Sequence, residues 1–317
     1  MLYRTDFRAM GCHMLAMLDA SEDGAAEYLS QVSIWFEEWE QVLSRFRLDS
    51  DLNRLNRSAG RPLQVSQILW DVFESALEAE RASAGLVTAT ILPALLAAGY
   101  DRSFDQMLPE IQGIPFNDRK MVTSLAESEL DPANRTIHLP ADVQVDFGGL
   151  AKGWAAWQAA QRISKFGPAL VNAGGDIAIS AELTNGKLWP VTVDDPFHAG
   201  EIIATLGLRA CGVATSGIDF RRWKRNGEWN HHIIDPRTGR PAQTDLSTVT
   251  VVAQNATLAE MAAKTILILG SQPGMAWVNA RPEFSALLVR ETGEILLSDL
   301  MEQHFWRSDE YEHVRPG

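Results

Sequence analysis

Apolar residues recur in steps of three and four at Leu29, Val32, Phe36, Trp39 and Leu43. That spacing predicts an amphipathic helix starting near Ser21 or Glu22, with one face on a core. The same rhythm at Leu69, Val72, Phe73, Ala76 and Leu77 predicts a second helix over residues 66–84. Residues 2–20 read as extended chain interrupted at Gly11. Further strands are predicted over 169–171, 177–180, 188–193, 248–253 and 285–289, with 291–294 as a hairpin turn into 295–297. Helices over 150–166 and 258–269 interleave with them. Helix and strand mix without a regular βαβ rhythm, so the expectation is an α+β fold in one domain spanning 1–317.

Composition narrows the function classes. The formal net charge of -13 argues against nonspecific nucleic-acid binding, which needs a basic surface. A bound polyanion would have to be held by local devices: backbone amides, one or two cations, or a metal. Cys12 and Cys211 lack metal-ligand spacing, and two buried thiols are expected rather than a disulfide framework or zinc site. Residues 1–6 carry no apolar run and no lipid-attachment cysteine, and the longest apolar stretch, 89–98, is too short to span a bilayer. The expectation is a cytoplasmic chain without membrane insertion.

Four clusters carry candidate chemistry. In Val145-Asp146-Phe147-Gly148-Gly149-Leu150-Ala151-Lys152-Gly153-Trp154, an extended segment ends in an acid, turns through paired glycines and enters a helix bearing a lysine. It is either a phosphate-binding helix start or a tight strand-to-helix turn with a surface lysine. In Val171-Asn172-Ala173-Gly174-Gly175-Asp176 the glycine pair suggests a β-bulge, or a point where another segment crosses. Val213-Ala214-Thr215-Ser216-Gly217 precedes a basic run (Arg221, Arg222, Lys224, Arg225) that reads as a solvated hairpin face. Beyond it, His232 lies three residues before Asp235-Pro236-Arg237-Thr238-Gly239, a turn by composition; the imidazole could serve as acid or base, or cap that turn. Glu260 and Lys264 stand one helical turn apart, as an i,i+4 ion pair.

Together and in this order, the clusters resemble the FAD:protein FMN transferase family, the ApbE-type flavin transferases. The resemblance also takes in Ala9-Met10-Gly11, Ser44-Arg45-Phe46 and the segment from Asp49 to Asn56, and so covers nearly the whole chain. It implies a mixed α+β fold whose sheets and helices enclose an FAD cleft, with magnesium on the pyrophosphate. A threonine hydroxyl of a partner flavoprotein would attack the FMN-side phosphorus, and AMP would leave; FAD pyrophosphatase activity is the related reaction. Carried over by residue, Met10, Phe46, Asp146, Lys152 and Ile234 would line the flavin nucleotide site, Gly149 would offer its carbonyl to the metal, and His232 would be the acid/base. The chain departs from the family at three places. Glu260 and Lys264 stand where the family places an Asp and a Thr as metal ligands, and a protonated lysine cannot ligate a cation. Gly85-Leu86-Val87-Thr88-Ala89-Thr90 stands where the family has Gly-x-Phe-Asp-Pro-Thr, so Leu86, Val87 and Thr88 are site candidates by position, and Trp157 stands where an aspartate is usual. These departures imply an alternative, a degenerate member that binds FAD or another adenine nucleotide without turnover, with Lys264 acting as a fixed charge in place of the metal.

Overall fold

The computed structural model describes residues 1–21, 24–111 and 122–306. Its main sheet has eight antiparallel strands whose spatial order is their chain order: β1 (Leu2–Ala9), β2 (Cys12–Asp19), β3 (Ala169–Ala173), β4 (Asp176–Ile179), β5 (Cys211–Gly217), β6 (Leu246–Ala253), β7 (Ser285–Arg290) and β8 (Ile295–Leu297). Each of the long insertions therefore returns the chain to the next free edge. The join between β2 and β3 pairs Met14 with Ala173 and Leu18 with Ala169, bridging an insertion that contains most of the helices.

Those helices are α1 (Ala25–Leu43), α2 (Asp51–Arg57), α3 (Gln67–Ala82), α4 (Leu92–Ala98) and α5 (Ala151–Ile163); α6 (Ala256–Leu269) and α7 (Ser271–Asn279) follow β6. The stripe Leu29, Val32, Phe36, Trp39 and Leu43 is buried, and α1, α5 and α6 cover one face of the sheet. The opposite face is covered by a hairpin of Trp189–Asp194 and Ile202–Leu208, whose Trp189, Val191 and Leu206 pack on Ile177, Val213 and Val252. With both faces covered, β6 is buried at every position. Among the described residues, no helix is long and apolar enough to cross a membrane. The fold is α+β, as the mixed pattern predicts.

Several local expectations shift. α1 begins at Ala25 rather than near Ser21, after Gly24 at φ 116°, a left-handed conformation that a helix interior does not accept; Glu22 lies outside the described residues. The Gly174-Gly175 pair is not a bulge but the two-residue turn of the β3–β4 hairpin, with φ of 66° and 99° and Asn172 Oδ1 accepting from the Gly175 amide at 2.8 Å; another segment does come close, since a Cβ on Gly174 would lie 2.8 Å from Cys12 Cβ. Cys211 is buried, and burial pushes its thiol up to about 12, but Cys12 is only half-buried. Trp157 packs its ring partly into the core from α5. The short α2, α4 and α7 carry weaker signals. α7 hides behind Pro273, which its first turn tolerates because that N–H has no intrahelical partner.

α5 and α6 meet at Gly153, whose amide donates to Glu260 Oε2 at 3.1 Å. A Cβ there would lie 2.8 Å from Glu260 Oε2 and 2.9 Å from the Ala256 carbonyl oxygen. Gly153→Ala is therefore expected to destabilise the fold by about 1–3 kcal/mol, the usual range for overpacking. Urea denaturation checks this; an unchanged midpoint would show that the helices separate freely.

Candidate functional site

Two cavities share a wall at the foot of the helical layer. The narrower, about 290 Å³, has an apolar side made by Leu86, Val87, Ala89, Ile91 and Leu95. Met10 and Phe46 stand at its rim, and Asp146, Gly149 and Ile234 line it further in. The wider, about 1080 Å³, opens over the ends of β2, β3 and β5 and includes Asp176, Thr215 and Glu260. Lys152, Arg221, His232 and Lys264 line both, as do Phe104, Asp105 and Ile233, so these side chains belong to the partition. Every residue singled out from the sequence as a nucleotide contact, together with Gly149 and His232, borders the narrower cavity. Glu260 borders the wider one.

The sequence builds this arrangement through local devices. Met10 sits at the β1–β2 turn with φ 48°, and its amide donates to Glu40 Oε2 at 2.6 Å, which anchors a conformation costly for a non-glycine residue. Ser50 caps α2, its Oγ accepting from the Asn53 amide at 3.1 Å. Two asparagines of α2 then position the site. Asn53 Nδ2 donates to the carbonyls of Arg45 and Arg47, each at 2.9 Å, and Asn56 exchanges bonds with both backbone groups of Val145, at 2.9 and 2.8 Å. One short helix thus holds both Arg45 and the segment leading to Asp146.

Asp146 does not face the cavity as a free carboxylate. Arg45 Nε lies 2.8 Å from its Oδ2, and the Gly148 amide donates to its Oδ1 at 2.8 Å. The Arg45 guanidinium also stacks over the rings of Phe46 and Tyr100, at 4.2 and 4.7 Å to the centroids. Thr88 is buried and shares a 2.9 Å hydroxyl bond with Thr90, so it presents little polar surface where the family pattern would place an aspartate.

The charged centre lies on α5, α6 and the β3–β4 turn. Lys152 Nζ bonds Asp176 and lies 3.5 Å from Glu260 Oε1; Lys264 Nζ lies 2.9 Å from the same oxygen. Both carboxylates are almost wholly buried, with side chains 4% and 1% exposed. Burial and the neighbouring Glu260 push Asp176 up to about 6, against the pull of Lys152. Burial also works against charge on Glu260, but the two lysines and the bonds from Lys264 and Gly153 hold it below the usual carboxylate range. For Lys152, burial opposes the charge and is outweighed by Asp176 and Glu260, which hold the ammonium above its ordinary value.

The positions that the resemblance assigns to a metal do not fit magnesium. Both Glu260 oxygens already accept from protein donors. The Lys264 ammonium fills the space between Glu260 and Gly149; a Cβ on Gly149 would lie 3.1 Å from Lys264 Cε and 3.9 Å from its Nζ. The neighbouring Thr265 hydroxyl donates to the Met261 carbonyl at 2.9 Å and offers no substitute ligand. Among the described residues, no group of three or more His, Cys, Asp or Glu side chains is placed to hold a metal ion.

The two histidines separate by role. His231 Nε2 lies 3.0 Å from the Ala242 carbonyl, and its Nδ1 accepts from the Ile233 amide at 3.3 Å, a purely local arrangement. His232 Nδ1 is buried without a hydrogen-bond partner. Burial first, then the charges of Arg221 and Lys264, hold this imidazole well below the ordinary histidine value. It does not cap the turn: Asp235 does, accepting from the Arg237 amide at 2.9 Å and gripping its guanidinium. Arg221 is the residue the sequence reading misplaced. It turns from the hairpin into the partition, with Nη2 3.1 Å from Cys12 Sγ. Elsewhere in that run Arg222 and Lys224 lie over Trp229, and Arg225 bonds the Ala97 carbonyl. Arg45, Tyr100 and Asp176 also belong to the site; Arg45 and Asp176 stood inside recognised clusters, whereas Tyr100 carried no signal.

The sequence model of the ApbE family matches residues 10–288. A FAD:protein FMN transferase of Treponema pallidum is 31% identical over 281 residues, covering 82% of this chain and 76% of that protein. One from Klebsiella pneumoniae is 27% identical over 299 residues, covering 91% and 89%. Among solved structures, the ApbE protein of Thermotoga maritima superposes with a TM-score of 0.86 at 22% identity, covering 97% of this chain and all of the other. Flavin transferase ApbE from Vibrio cholerae gives 0.78 at 21%, covering 96% and 99%. At these identities the structures show a shared fold.

Proposed function

The chain belongs to the ApbE family, and from that footing we propose that it is a flavin transferase moving FMN from FAD to a threonine hydroxyl of a partner flavoprotein. The observation that carries this reading is the partition itself, where three cations and an imidazole with an unpartnered Nδ1 stand between a narrow apolar cavity and a wider, more polar one. The apolar cavity suits the flavin ring system, Lys152, Arg221 and Lys264 suit the pyrophosphate, and the wide cavity admits an acceptor segment. His232 Nδ1 accepts the hydroxyl proton as the threonine oxygen bonds to the FMN-side phosphorus; the bond to the bridging oxygen breaks, and AMP leaves with that electron pair. Catalysis of this kind rests on positioning and on charge placed where the transition state develops it.

One observation favours a second reading, FAD binding without turnover: Lys264 supplies a single charge at a position where the family resemblance implies a divalent ion. Incubation of the purified protein with FAD, with and without a flavoprotein acceptor, separates the two by chromatography of AMP and FMN and by protein-bound flavin fluorescence. AMP release matched by flavin on the acceptor is the expected result. FAD retention without AMP release supports the second reading, and absence of both binding and release overturns the flavin assignment.

A further inference from the structure

We propose that the Lys264 ammonium is the built-in cation of this site, so that the pyrophosphate of the dinucleotide is held without a divalent metal. The proposal rests on the flavin-nucleotide reading for its ligand and on the geometry around Glu260 for its chemistry. Lys264 Nζ sits 2.9 Å from Glu260 Oε1 and beside the Gly149 backbone, so the lysine occupies the place of an ion bridging the two. Glu260 has no oxygen to spare, since Oε1 faces both lysines and Oε2 accepts from Gly153.

Magnesium demands nearly octahedral oxygen coordination and gives up its waters reluctantly. An ion at this point would meet an ammonium in a largely enclosed site, with like charges facing each other. Lysine performs the simpler task of neutralising phosphate as a point charge. Lys152 and Lys264 are held against Asp176 and Glu260, and Arg221 lines the same cavity beside them. Among the described residues Arg221 forms no ion pair with a carboxylate, and it lines both cavities, so its charge is available to a ligand there.

Isothermal titration of FAD into the native protein, once in EDTA and once in excess magnesium, tests this directly. The two dissociation constants are expected to agree within about twofold, whereas the Glu260→Asp/Lys264→Thr double variant binds about tenfold or more tightly in magnesium than in EDTA. A tenfold or greater magnesium-dependent gain in the native protein overturns the proposal, whether or not the variant folds. If FAD binds under neither condition the flavin reading fails, and manganese titration followed by electron paramagnetic resonance still decides the metal question. Uptake of Mn²⁺ by the native protein that Glu260→Gln abolishes overturns the proposal; its absence sustains it.

Discussion

His232→Asn is expected to lower the rate constant for flavin transfer by about 10²–10⁴-fold, the span typical of losing a general base. FAD affinity should remain close to native, because the amide is near the imidazole in size and the nearby cations are untouched. The expectation rests on a ring nitrogen that is buried and lacks a hydrogen-bond partner, in a residue that lines both cavities. Its depressed pKa fixes the pH dependence. A lowered pKa means the neutral, proton-accepting form persists below the ordinary histidine value of about 6.5. The rate should therefore stay level from neutral pH down through that value and fall only at lower pH. The same shift acts on stability: the unfolded chain binds a proton at a pH where the folded histidine does not, so stability drops on acidification through that window. Steady-state rates across pH, with kcat and KM resolved, check the assignment. A native acid limb at or above the ordinary histidine value, or an asparagine variant with unchanged kcat, would remove His232 from the chemistry.

The periodic helices were legible because each buries one face. α1 and α3 show their stripes at a 3.6-residue period, and Ser66 marks the start of α3 through the bond it accepts from Leu69. The sheet was less legible. β6 is buried on both faces, which erases the alternation that would mark a half-exposed strand. Nor does any local signal tell β2 that its partner lies beyond residue 168. At the site, sequence supplied residue types and left directions open. The run from Arg221 to Arg225 looks uniformly basic, yet its members diverge: one enters the partition, two lie over Trp229 and one reaches the α4 carbonyl end. The ion pair between Glu260 and Lys264 follows from helical spacing alone. The bond from Lys152 to Asp176 needed the tertiary fold, which brings the start of α5 against the β3–β4 turn. Asn53 and Asn56 gave no hint of their work, since their partners are backbone carbonyls and an amide supplied by other segments.

Lys152→Met tests whether that tertiary pairing stabilises the folded chain in the absence of any ligand. Asp176 loses its bonded ammonium while its side chain remains almost inaccessible to water, and Glu260 keeps only Lys264 and the Gly153 amide. Removing one partner of a buried ion pair costs about 3–5 kcal/mol, because the remaining charge has neither water nor counter-ion. The sign of the pH effect follows from the two carboxylates. Without Lys152 the folded-state pKa of Asp176 rises further above its unfolded one, and that of Glu260 rises from its depressed native position, so the folded state accepts protons that the unfolded state has released. Stability from such a group is present at low pH and is lost as pH rises through the folded value. In the native chain Asp176 already titrates near a pKa of about 6. The deficit of the variant relative to native should accordingly be largest at about pH 8 and shrink by about pH 5, as protonation neutralises the orphaned acid. Lys152→Arg, which restores the charge with a different shape, should recover part of the loss at the higher pH. Urea denaturation at the two pH values measures all three proteins. A deficit below about 1 kcal/mol would place Lys152 among pairs that contribute little. A deficit equal at both pH values would mean that methionine disturbs packing on α5 and that Asp176 does not depend on the lysine for its charge.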